Sequence, residues 1–209
     1  MAREMDLTLG HYQFTRNWFR NRNLPTFREF VHPEWAGRPM VYLEIGVFEA
    51  MSLCWMMEHV LTNEFSRAVG VDPWLMTTKL SDLDMDCVMS RAMHNTDQHH
   101  RCQLVRGHSS EVLRRMAHKR GGFANIQRGT VDVAMIDGNH WAPYVYDDAR
   151  LCLELVKPGG WLMFDDVEND VDKGDGHVKE GLEHFVRDYD GQVEEIWRHQ
   201  YMVCLRRIT

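Results

Sequence analysis

Pairing signals for cysteine are missing from this 209-residue chain: Cys54, Cys87, Cys102, Cys152 and Cys204 are odd in number and show no C-x-x-C spacing. That excludes a disulfide framework and a cysteine-based zinc site, and the thiols read as reduced and buried. No apolar run reaches the roughly eighteen residues that a membrane-spanning helix needs. The opening MAREMDLTLG lacks the apolar stretch of a secretory leader. A cytoplasmic protein without membrane contact is the expectation. A basic stripe is absent too. The 24 basic residues against 31 acidic ones leave a charge of −7, and only short mixed clusters such as Arg16 to Arg22 and Arg114 to Arg120 concentrate arginine. Nucleic acid is therefore not an expected partner. Repeats, linkers and low-complexity segments are also lacking.

What is present is 44% hydrophobic residues, enough for one substantial core. Residues 1–39 read as a helical extension or lid. They carry Tyr12, Phe14, Trp18, Phe19, Phe27, Phe30 and Trp35 on one or two short helices interrupted at Pro25 and Pro33. From Met40 onward apolar runs alternate with helical periods. MVYLEIG, RAVGVDP, CQLVRG, VDVAMID and WLMFDDV read as strands. Between and beyond them, Ala50 to Asn63, Thr78 to Asn95, Ser110 to Lys119, YDDARLCLELV and about Gly176 to Tyr189 read as helices. Pro158-Gly159-Gly160 reads as a turn. QVEEIWRH and YMVCLRR close the chain as strands joined too tightly for a parallel crossover, so the last strand runs antiparallel.

The segment from Val131 to Val167 is the most informative. A strand-helix-strand unit of this length is parallel and right-handed, so Asp137 converges with Asp165 and Asp166 at the carboxyl edge of the sheet. Three acids gathered there repel one another unless a cation or cationic ligand intervenes. Oxygen ligands suit magnesium, calcium or manganese rather than zinc. The other reading is an acidic solvated loop that continues through Glu168, Asp170, Asp172 and Asp175.

Other positions also carry chemistry. Gly46 after a buried strand permits a sharp turn against a ligand, and the following helix aims free N–H groups at an anion. Asp72 at the next strand end is placed to accept from ribose hydroxyls, or serves as a turn residue before Pro73. Glu44 contacts the ligand or pairs with a cation. His140 is a titratable group suited to general-base work, or a helix-capping residue. Trp141 is an apolar wall or a core tryptophan. His94, His99, His100 and His108 crowd together, but without cysteine pairs they read as a solvated helix end.

The motif order resembles class I methyltransferases that use S-adenosylmethionine. Glu44-Ile45-Gly46 with Val47 to Ser52 looks like their first motif, Val71-Asp72-Pro73-Trp74 like the second, and Arg106 to Ser110 like the adenine-side loop. Ile136-Asp137-Gly138, Pro158-Gly159-Gly160 and Phe164-Asp165-Asp166 are similar to a metal-dependent small-molecule O-methyltransferase subgroup, macrolide-sugar and, more distantly, catechol type. The resemblance implies an α/β, doubly wound, Rossmann-like sheet of seven mostly parallel strands with a C-terminal antiparallel hairpin strand, spanning residues 40–209. It implies cofactor contacts from Glu44, Gly46, Ser52, Asp72, Ser109, Asp137 and Trp141. It also implies a magnesium or manganese ion on Asp137, Asp165 and Asp166, catalysis by His140 and Asp137, and a hydroxylated small molecule as acceptor. Two departures stand out: Ala50 replaces the last glycine of the first motif, and Asn139 stands where the sugar enzymes often carry an acid. A binding module that has lost turnover is therefore the main alternative. A nicotinamide oxidoreductase is disfavoured because the turn holds one glycine instead of G-x-G-x-x-G. Homo-oligomerisation stays open.

Overall fold

In the computed structural model, which describes residues 11–76, 80–118, 124–167 and 177–209, apolar β-branched runs become the strands of a single sheet. These are β1 (Val41–Ile45), β2 (Arg67–Asp72), β3 (Cys102–Arg106), β4 (Val131–Ile136), β5 (Val156–Phe164), β6 (Val193–His199) and β7 (Met202–Arg207). Their order is β3-β2-β1-β4-β5-β7-β6. β1 pairs in parallel with β2 and β4, β2 with β3, and β4 with β5, while β7 is antiparallel to both β5 and β6. This is the expected mostly parallel, doubly wound sheet, closed by the C-terminal hairpin.

Because successive strand side chains face opposite sides, β1 feeds two cores. Val41, Leu43 and Ile45 enter one, against helices α3 (Ser109–Ala117), α4 (Ala142–Leu155) and α5 (Val178–Asp188). Tyr42 enters the other, with α1 (Met51–His59), α2 (Met85–Thr96) and the N-terminal segment. Every residue of β1 and β4 is buried, as strands covered on both faces must be.

Several boundaries differ from the sequence reading, each for a local reason. Pro25 and Pro33 do not interrupt the N-terminal helix. Residues 19–35 form one helical run in which two wide π-type turns, Phe19–Asn23 and Phe27–Val31, each precede a proline, so the altered ladder absorbs the missing N–H donors. α2 starts at Met85 because the Asp84 side chain caps the N–H groups of Asp86 and Cys87 at 3.0 and 3.3 Å. Residue 78, where the sequence starts that helix, lies outside the described residues. α4 begins at Ala142 rather than Tyr146, with Pro143 in its first turn, a position that needs no N–H. Pro158-Gly159-Gly160 is no free turn: it lies within β5, where the register against β4 shifts between Val131 and Val133. Such a bulge is where a sheet tolerates proline.

Gly46 is the position that this packing cannot do without. Its φ is +87°, and a Cβ there would stand 1.8 Å from the backbone oxygen of Asp137. Gly46→Ala should lower the unfolding free energy by at least ~2–3 kcal/mol, from the strained φ and the backbone overlap together. Urea denaturation followed by circular dichroism measures this, and a variant as stable as wild type would show that the loop relaxes freely.

Candidate active site at the carboxyl edge of the sheet

Strand register assembles the site. Ile45 pairs with Val71 and Ile136, Val71 with Val105, and Ile136 with Phe164. The residues that follow this row are Gly46, Asp72, Asp137, Arg106 and Asp165, so they share one edge. Sheet-type bonds continue past it, from Gly46 N to Val71 O at 2.9 Å and from Asp137 N to Ile45 O at 2.8 Å. Backbone strain concentrates there as well. Phe48, Ala50, Trp74 and Asp166 all have positive φ, which costs non-glycine residues of order 1 kcal/mol or more each. For Ala50 the departure from glycine thus acts through backbone conformation.

Asp72 is largely committed before any ligand arrives. Its Oδ2 accepts from the N–H groups of Val47 and Phe48 at 2.9 and 3.0 Å, and Oδ1 from Trp74 N at 2.6 Å. Burial pushes its carboxyl upward, and those three donors pull it back. A carboxylate offers about four acceptor sites, so room remains for one further donor, short of the two ribose hydroxyls expected from the sequence. Glu44, 1% exposed, accepts from Ser52 Oγ at 2.5 Å and Tyr42 OH at 2.8 Å. Burial pushes it up to about 7 against those hydrogen bonds. Ser52 therefore serves Glu44. Ser109 opens α3 and bonds Asp148, a buried acid raised to about 6 mainly by desolvation.

The acids of the cluster divide their partners. β5 ends at Phe164, so Asp165 and Asp166 follow the strand instead of ending it. Asp165, 7% exposed, accepts from Asn23 Nδ2 at 2.6 Å through Oδ2. Its Oδ1 is buried without a hydrogen-bond partner among the described residues. Asp166 turns the other way, 3.1 Å from Arg22 and 3.6 Å from His140 Nε2. Asp137, His140 and Asp166 bring ligand-capable atoms within 4.8 Å of one another. Burial first, then the charges of Asp165, Asp166 and Glu44, push Asp137 well above the usual carboxylate range. Burial and Asp166 raise Asp165 to about 7. The proposed acidic continuation through Glu168, Asp170, Asp172 and Asp175 lies outside the described residues.

Other sequence assignments change. Trp141 is 66% exposed, so it is no core tryptophan, and its backbone N–H donates to Asn139 Oδ1 at 2.9 Å. Asn139 thus shapes the turn that starts α4. His94 and His99 contact His11 O and Tyr12 OH at 3.0 and 2.9 Å. Cys87 is exposed and Cys102 half-buried, in contrast to the buried Cys54, Cys152 and Cys204. Sequence reasoning missed Asn23, Arg22 and Glu49. Glu49 is buried and accepts from Thr15 N, Thr15 Oγ1 and Arg91 Nε at 2.6, 2.8 and 2.5 Å. These contacts are long-range. The arginines around residue 22 were the sole signal.

The strand order and the reversed seventh strand are those of the Rossmann-like methyltransferase fold. The chain belongs to the methyltransferase-domain family, whose model matches residues 43–167. An uncharacterized protein of Acanthamoeba polyphaga mimivirus is 25% identical over 132 residues, 62% of this chain and 52% of that protein. The chain thus spans about half the length of that relative. Among solved structures, a candidate rRNA-methylase of Clostridium thermocellum is similar with TM-score 0.60 and 12% identity, over 90% of this chain and 98% of that one. An O-methyltransferase of Bacillus cereus in complex with SAH gives TM-score 0.59 and 15% identity, over 95% and 84%. The MycE methyltransferase of the mycinamycin biosynthetic pathway, in complex with Mg and SAH, gives 0.58 and 18%, over 94% and 51%. At these identities the likeness establishes the fold.

Two tests follow. Asp72→Ala should weaken S-adenosylhomocysteine binding by ~1–3 kcal/mol in calorimetry, and also lower the melting temperature, because the N–H groups of Val47 and Phe48 lose their acceptor. Unchanged affinity would remove Asp72 from the ligand site. Glu44 predicts the second: its native pKa of about 7 lies above the ordinary 4.5, so the folded state holds the proton more tightly. Its contribution to stability is complete below about 4.5 and is lost as pH rises through about 7, at up to ~1.4 kcal/mol per pH unit. Glu44→Gln should flatten that part of the profile, and an identical slope in wild type and variant would refute it.

Proposed function

We propose that this protein transfers the methyl group of S-adenosylmethionine to a hydroxyl oxygen of a small molecule, with a magnesium- or manganese-type ion held by Asp137, Asp165 and Asp166. The observation that carries the metal reading is the group of Asp137, His140 and Asp166, whose ligand-capable atoms lie within 4.8 Å of one another, with the buried, unpartnered Asp165 Oδ1 on the residue before Asp166. An all-oxygen donor set fits such an ion, and the Mg-bound neighbour supports it. A charge of −7 argues for a small acceptor rather than nucleic acid. No helix among the described residues is long and apolar enough to cross a membrane. Free thiols throughout suit a reducing, cytoplasmic setting.

When bound, the cofactor supplies an electrophilic methyl on a sulfonium, and the cation would lower the pKa of the acceptor hydroxyl. The chain's own residues position and neutralise. Asp72 and the turn at Gly46 hold the nucleoside and methionine ends, with Ser109 at the adenine side and Trp141 as an outer apolar wall. The acid cluster would hold the cation and, through it, the acceptor oxygen, and such positioning is where orientation lowers the barrier most. His140, facing Asp166 at 3.6 Å, takes the hydroxyl proton. Its backbone oxygen accepts from His177 N at 2.8 Å, which tethers the loop that carries it. Strain at Ala50 and the substitution at Asn139 favour a second reading, cofactor binding without turnover. Methyl transfer to any member of a sugar and phenol panel, detected by mass spectrometry, rejects it.

Exhaustive chelation should abolish methyl transfer, and magnesium or manganese should restore it, while S-adenosylhomocysteine binding persists. Full activity after chelation would remove the ion from the reaction. His140→Gln should lower kcat by about 10²–10⁴-fold, the usual share of a general base, with Mn²⁺ affinity unchanged. A loss of Mn²⁺ affinity instead would make His140 a ligand.

A further inference from the structure

The acid cluster is completed from outside the family-matched segment, which begins at residue 43. Asn23, 6% exposed, donates through Nδ2 to Asp165 Oδ2 at 2.6 Å. Its chain neighbour Arg22 places a guanidinium nitrogen 3.1 Å from Asp166 Oδ1 and lies 4.7 Å from the centroid of the Tyr201 ring. The helical run that carries both is fixed from several sides. Phe19, Leu24, Phe27 and Val31 are buried in the core that surrounds Trp55, and Thr26 Oγ1 meets His199 Nδ1 at 2.8 Å.

These two neighbours act on a cation in opposite senses. An amide donor on Oδ2 restrains the Asp165 carboxylate to one orientation and leaves its buried Oδ1 available. A guanidinium on Asp166 cancels negative charge and covers an oxygen that a metal would take. Asp166 cannot give its full charge to both.

We propose that adjacent residues of the N-terminal segment set the metal affinity of this site in opposite directions: Asn23 is a positioning residue that presents Asp165, and Arg22 is an internal counter-cation that a divalent ion displaces from Asp166. The inference rests on the metal reading above. It explains how the acid cluster holds together in the metal-free protein, and it makes the N-terminal segment part of the catalytic domain's chemistry. The Tyr201 ring offers the displaced guanidinium a cation–π resting place.

The test is a Mn²⁺ titration of the full-length wild type, Asn23→Leu and Arg22→Met, reading free Mn²⁺ by electron paramagnetic resonance, with thermal melts of the metal-free proteins alongside. Asn23→Leu should bind Mn²⁺ about 10–100-fold more weakly, the usual consequence of losing the partner behind a metal ligand. Arg22→Met, which keeps the aliphatic stem against Tyr201, should bind about fivefold more tightly, the ceiling for a partly exposed ion pair. Arg22→Lys should stay near wild type. General loosening of the segment would move Asn23→Leu and Arg22→Met in the same direction, so shifts of equal sign overturn the proposal. A wild type that takes up no Mn²⁺ at millimolar concentration rejects the metal reading and this inference with it. A wild type that binds while Arg22→Met gains nothing rejects the inference alone.

Discussion

Parallel pairing of five strands in a single register is the constraint on which the rest depends. Val105, Val71, Ile45, Ile136 and Phe164 lie in one row across β3, β2, β1, β4 and β5. A slip of one residue in a pairing of β1 or β4 would turn that strand's side chains to the wrong face, and every residue of those two strands is buried. The register is therefore held by two cores at once. Its by-product is chemical: the residues after the row reach one edge together, and four of the five are Asp72, Gly46, Asp137 and Asp165.

Bringing carboxylates together has a cost, and the structure shows four ways of meeting it. Backbone N–H groups surround Asp72. Hydroxyls serve Glu44. An amide and a guanidinium from the N-terminal segment serve Asp165 and Asp166. What remains is met by raised proton affinity at Glu44, Asp137 and Asp165. The residual demand for positive charge at the Asp137, Asp165 and Asp166 corner links the fold to the proposed chemistry, because a bound cation would satisfy it. Conformational strain at Phe48, Ala50, Trp74 and Asp166 lies along the same edge. The two buried cores supply the stability against which that strain is held.

The N-terminal segment belongs to this arrangement rather than lying beside it. Trp18 sits 4.8 Å from the Phe48 ring, and Thr15 is bound by Glu49 from the turn after β1. Asn95 reaches across from α2 to Gln13, accepting from its N–H at 2.7 Å and donating to its carbonyl at 3.0 Å. The loop of the first motif is thus held from outside the matched family segment as well as from within it.

Local pattern alone determined the alternation of strands and helices, the antiparallel close of the chain and the convergence of Asp137 with Asp165 and Asp166, because periodicity, turn residues and crossover handedness act over short stretches of chain. Gly46 was legible for the same reason, since a turn after a buried strand demands it. Only tertiary structure decided that Asp165 faces Asn23 while Asp166 faces Arg22 and His140, that Asp72 spends three acceptor sites on backbone, and that Trp141 stands in solvent. It likewise decided that prolines at 25 and 33 ride in one helical run. Those outcomes depend on contacts between residues as far apart as Asn23 and Asp165, 142 positions along the chain. Sequence spacing carries no information about such pairs until the sheet register has brought them together.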